Sequence, residues 1–196
     1  MECDWEVELG GDAPVIDAHW ENLVDLRFSP GRAQELSEVA ALPVLAEILA
    51  RLNGVGSPVW TAKCDVWPID TRDPEVFDAD EFDAAAESAN QGLACYVDLL
   101  PGDELLWQSA DLVIEWCRAV CKLLNAAPLR CCRADLIVRR AYLARENRTA
   151  LGVTAYISAC GRDQLESAAA LGSTLAVFVD TVLAARVPAL PASKIQ

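Results

Sequence analysis

The sequence predicts an α+β domain of three strand-strand-helix units, forming a mostly antiparallel sheet with its helices packed on one face. Three observations carry this expectation. A phrase recurs along the chain, apolar and polar residues alternate in the stretches before it, and apolar residues recur at three- and four-residue steps in the stretches after it.

The recurring phrase is "VDLRFSPGRAQELSEVAALPVLAEILARLN" (24–53) beside "VDLLPGDELLWQSADLVIEWCRAVCKLLN" (97–125). Both have a strand-like start, a Pro-Gly turn, a helical pattern and a closing Leu-Asn. A weaker copy, "AYISACGRDQLESAAALGSTLAVFVDTVLAA" (155–185), sets Tyr156 and Asp163 against Tyr96 and Asp103 at a constant offset of 60. A further strand-like phrase precedes each: "CDWEVEL" (3–9), "CDVWPID" (64–70) and "ADLIVRRAYL" (134–143). The units then occupy about 1–53, 59–125 and 134–186.

Alternation sets the strand phases. In "DWEVEL", Trp5, Val7 and Leu9 point one way and Asp4, Glu6 and Glu8 the other, so one side is apolar and the other acidic. In the second helix Leu105, Leu112, Trp116, Val120 and Leu123 make one stripe, widened by Leu106, Val113, Cys117 and Leu124. Asp163 with Glu166 reads as a capping-box start for the third helix, and Pro43 should kink the first or split it into two short helices.

Only "GVGS" (54–57) joins the first two units, so 1–196 reads as a single domain. The irregular stretch 68–92 is an acidic insertion with eight acids and one Arg, and 187–196 reads as a loose tail.

Composition narrows the function classes. Apolar residues make up 53% of the chain, with six Trp, enough for a packed core. Thirty acids against sixteen basic residues leave a net charge of −14, which repels nucleic-acid phosphates and anionic lipid surfaces. The opening "MECDWEVELG" is acidic rather than basic, and "SAAALGSTLAVFV" (167–179) is shorter than the ~20 residues that cross a bilayer. A cytoplasmic location without a membrane segment is the expectation. There the eight cysteines serve as small buried hydrophobes rather than disulfides. Their spacing lacks Cys-x-x-Cys, so neither a metal nor another cofactor is expected.

No catalytic motif emerges. The single histidine, His19, sits in "DAHWENL" without a nucleophile elbow, and neither a Walker loop nor a dinucleotide fingerprint occurs. "DADEFD" (78–83) lacks the Gly and Glu of a calcium loop. Its acids Asp78, Asp80, Glu81 and Asp83 read instead as a docking surface for Lys and Arg of a partner.

A second candidate surface is the open sheet face. Strand phase puts Asp25, Asp65 and Asp98 there, joined by Trp67, Tyr96, Arg139 and Tyr156. Aromatic residues mixed with charges suit protein recognition. Converging carboxylates would suit acid-base chemistry.

The expected function is an acidic binding protein, an inhibitor or immunity-type protein that neutralises a basic, nuclease-like partner, and not an enzyme. Two alternatives stand beside it: a small-molecule enzyme using the clustered carboxylates, and a structural subunit that self-associates through its apolar third helix.

Overall fold

The structure, a computed structural model, describes residues 1–10, 24–73, 75–85, 89–102, 107 and 109–185, together with the backbone of 15–17. His19, the helix start at Asp103, Leu105 and Leu106, and the tail 187–196 lie outside the described residues.

The fold is α+β. Strands β1 (Glu2–Glu8), β3 (Val59–Ile69), β4 (Gln91–Pro101), β5 (Cys132–Leu143) and β6 (Arg148–Gly161) form one sheet in the order β1-β5-β6-β4-β3. A short β2 (Val15–Asp17) also pairs with β5, beyond the end of β1. Helices α1 (Glu38–Ala41), α2 (Leu45–Leu52), α3 (Ala110–Asn125) and α4 (Gln164–Ala184) complete the chain.

The sheet is mixed, with antiparallel pairing in the majority, as expected. β3/β4, β4/β6 and β5/β6 are antiparallel, whereas β1 and β2 both run parallel to β5. The finer three-unit scheme is not confirmed, and the first span departs from it. Residues 24–28 form a turn, not a strand, because the Asp25 carboxylate accepts from the Arg27 backbone N–H at 3.1 Å and binds its guanidinium at 2.8 Å. A short acceptor side chain two residues upstream bends the backbone away from a ladder, which overrides the alternation of "VDLRF".

Alternation holds elsewhere. Cys95, Val97 and Leu99 of β4, Leu136 and Val138 of β5, and Val153, Ala155 and Ile157 of β6 join one buried cluster with residues of α2, α3 and α4. The helices therefore cover one face of the sheet. Pro43 separates α1 from α2, as expected from its missing donor. In α3 the buried stripe centres on Val113, Trp116, Cys117, Val120 and Leu124, and Leu123 turns to solvent at 49% exposure. Asp163 caps α4 by accepting from the Glu166 N–H at 2.9 Å, and Glu166 reaches back to the Arg162 N–H at 3.0 Å.

By length and composition α4 is apolar enough to cross a bilayer. Its packing is that of a core helix: Leu171, Leu175, Phe178, Val179 and Val182 are fully buried, and Ala169, Ser173 and Asp180 face solvent. Asp180 pairs with Arg51 of α2 at 2.5 Å.

Both outer edges of the sheet are met by a helix-terminal asparagine. Asn125 binds the backbone of Cys3 on β1, and Asn53 accepts from the Thr61 N–H on β3 at 3.0 Å. Edge strands with unpaired backbone groups invite unwanted pairing, and these carboxamides occupy them.

Candidate functional site

The sheet face opposite the helices carries the candidate site. Strand register sets Tyr96 of β4 directly across from Tyr156 of β6, and Asp98 across from Thr154. Trp67 of β3 completes an aromatic group, its ring 6.0 Å from Tyr96 and 6.4 Å from Tyr156, with the two tyrosines 5.9 Å apart. Tilted and edge-on rings at such separations attract one another. The Arg139 guanidinium lies 5.9 Å from the Tyr156 ring and pairs with Glu8 of β1 at 2.9 Å.

Asp98 is nearly buried, 6% exposed, and accepts from the Thr154 hydroxyl at 2.7 Å. Loss of water raises its carboxyl above the ordinary range, against the opposing effects of that hydrogen bond and of Lys63 and Arg139. Burial, aided by Asp98 and Asp65, pushes the Tyr96 phenol up to about 12.

Beside the aromatic group a cleft of about 450 Å³ opens between the sheet and the segment 75–82. Its charged lining is Asp4 and Glu6 of β1, Asp135 and Arg133 of β5, and Glu81 of the insertion. Tyr156, Phe82, Ile69 and Ile137 supply apolar wall. Arg133 is held by Asp135 and Glu81, each at 2.8 Å, so the cleft carries a surplus of carboxylate. The insertion stands over this end of the sheet because Phe77 and Phe82 stack at 4.6 Å and are buried with Cys160.

Six of the seven open-face residues expected from the sequence share this face or its edge: Trp67, Tyr96, Tyr156 and Arg139 in contact, Asp98 beneath them, and Asp65 exposed beside Tyr96. Asp25 does not join them. It pairs with Arg27 at 2.8 Å and Arg145 at 2.7 Å, and the hydrogen bond from Arg27 holds its carboxyl below the usual range.

The insertion shrinks to residues 70–90, since β3 runs through Ile69 and β4 begins at Gln91. Its acids are largely engaged within the protein. Asp78 accepts from the Asp80 N–H, Glu81 pairs with Arg133, and Asp83, in a left-handed conformation, pairs with Arg130 at 2.9 Å. Asp78 and Asp80 remain exposed.

Sequence reasoning missed Arg133, Asp135 and Phe82 as site residues. It put Asp4 and Glu6 on an acidic strand side, but nothing local signals that β1 lies parallel to β5 with Asp4 beside Asp135. Among the described residues no three His, Cys, Asp or Glu side chains converge to hold a metal ion. Compared with known proteins, the chain matches no family model, and no curated protein or solved structure is similar enough to count as a match.

Proposed function

We propose that this is an acidic cytoplasmic binding protein, of the inhibitor or immunity type, that receives a basic segment of a partner on the open face of its sheet. The observation that carries the reading is the cleft, where four carboxylates and one guanidinium surround a wall containing Tyr156 and Phe82. An entering Lys or Arg would meet carboxylates from β1, β5 and the insertion. Cation–π contact with an aromatic ring adds about 0.5–2 kcal/mol. The net charge of −14 speeds encounter with a cationic partner and disfavours nucleic acid and anionic membrane.

The test is an affinity capture from lysate at about 50 mM and again at about 500 mM salt, where screening differs severalfold. Wild type is run beside Asp4→Asn/Glu6→Gln in the cleft and Asp78→Asn/Asp80→Asn on the insertion. A basic protein held at low salt, released at high salt, lost by the cleft variant and kept by the insertion variant is the expected result. Equal capture by wild type and the cleft variant overturns the reading.

A small-molecule enzyme is the second reading, and Asp98 favours it, as a buried carboxyl with a raised pKa beside two tyrosines. Asp25, paired with Arg27 and Arg145, stands apart from Asp65 and Asp98, so an active site would rest on the latter two. For a self-associating subunit the motive weakens, since beyond Leu165 in its first turn the exposed residues of α4 are Ala169, Ser173, Asp180 and Ala184, all small or polar.

A further inference from the structure

We propose that Cys3 and Cys121 form a redox-active pair whose closure to a disulfide ties the edge strand β1 to α3. Their Sγ atoms lie 3.0 Å apart, so a movement of about 1 Å separates them from the ~2.05 Å of a formed bond. Both are buried, at 6% and 5% exposure, and both thiols are free.

The approach is held by more than chance packing. Asn125, one turn after Cys121 on α3, grips the Cys3 peptide through its N–H and its carbonyl. The Cys121 sulfur also lies 3.4 Å from the Asp4 carbonyl oxygen. Residues 3 and 4 are thus fixed against residues 121 and 125 on one helix face, with the two sulfurs between. Cys117, the other thiol on that face, is fully buried one turn back.

The contact with Cys121 and burial keep the Cys3 thiol protonated well above its ordinary range, so the closed fold reacts slowly. Reaction requires β1 to fray from α3, which an edge strand does more readily than a central one. The oxidant is a small-molecule disulfide. One cysteine thiolate attacks it, forming a mixed disulfide and expelling one small thiolate. The second cysteine thiolate then attacks the protein sulfur and expels the other. The two protein thiols lose two protons and two electrons. The small disulfide gains both, leaving as two thiols.

The bond would close a loop of more than a hundred residues and restrict the unfolded chain accordingly. It would also pin the strand that carries Asp4 and Glu6 to the cleft.

The full chain is incubated with oxidised glutathione, blocked with N-ethylmaleimide and mapped by trypsin without reduction. Cleavage after Arg118 puts Cys117 and Cys121 on separate peptides, so the partner of Cys3 is unambiguous. The expected product is a Cys3–Cys121 linked pair, lost in Cys121→Ser and kept in Cys117→Ser. Wild type should gain on the order of 10 °C in melting temperature, reversed by dithiothreitol. Recovery of Cys3 as the alkylated thiol, as a persistent glutathione adduct, or joined to Cys117 or another cysteine overturns the assignment. A Cys3–Cys121 link without a rise in melting temperature overturns the tie.

Discussion

Asn125 holds the Cys3 peptide from both sides: its Oδ1 accepts the Cys3 N–H at 2.7 Å and its Nδ2 donates to the Cys3 carbonyl at 2.9 Å. One carboxamide supplies what a neighbouring strand would have supplied. Asn53 does similar work at the far edge, accepting from the Thr61 N–H while donating to the Thr61 hydroxyl at 2.7 Å and the Leu49 carbonyl at 2.8 Å. These are the asparagines that close the first two copies of the recurring phrase.

Asn125→Ala leaves two partly buried backbone groups without their partner and should cost about 1–3 kcal/mol in urea denaturation. Hydrogen exchange at the Cys3 amide should quicken at the same time, which separates loss of the edge cap from general loosening.

Asp98 makes stability depend on pH in a defined direction. Its folded carboxyl holds a proton more tightly than the ordinary value of 3.8, so the folded state binds more protons than the unfolded chain. Stability from this group is greatest below 3.8 and is lost as pH rises through the raised value. Asp98→Asn keeps an acceptor for Thr154 and removes that loss. Its denaturation midpoint relative to wild type should climb from pH ~4 upward and then level off. Asp25 works in the opposite sense: its lowered pKa contributes stability above the ordinary carboxylate value that is lost on acidification.

Tyr156→Ala removes ring contacts with Trp67 and Tyr96 and the seat of Arg139. With ~0.5–1.5 kcal/mol for each aromatic pair beyond area, the loss should reach about 2–3 kcal/mol. Tyr156→Phe, which keeps the ring, should cost under ~1 kcal/mol. Urea denaturation of the two variants beside wild type checks this, and equal losses would shift the weight from the ring to the hydroxyl.

Gly161 ends β6 where the chain turns under α4. A Cβ there would stand 2.6 Å from the Ser167 nitrogen and 2.7 Å from the Glu166 Cβ. Because backbone in the first turn of α4 must shift to make room, Gly161→Ala should cost about 2 kcal/mol or more, read as a fall of roughly 5 °C in melting temperature.

Much of this fold was legible because its signals are local. Alternation puts Tyr96, Asp98 and Tyr156 on one side of the sheet, whereas the offset of 60 marks only a repeat, and it is the register that sets the two tyrosines face to face. Pro43 and Asp163 announced a helix break and a helix start through single-residue chemistry. The turn at Asp25 was hidden because the same residues satisfy an alternating pattern, and only the reach of the carboxylate to Arg27 decides against a strand. The cleft was hidden for another reason. Asp4 and Asp135 are brought together by a parallel pairing that no short stretch encodes.

That pairing also sets an order of events during synthesis. Glu2 pairs with Arg133, so the first strand emerges from the ribosome with no partner until β5 has been made. At ~5–20 residues per second the wait is roughly 10 s. Through that interval Cys3 and Trp5 stand uncovered beside a row of four acids, Glu2, Asp4, Glu6 and Glu8. Those charges act as gatekeepers for the nascent strand, keeping it dissolved until its place in the sheet exists.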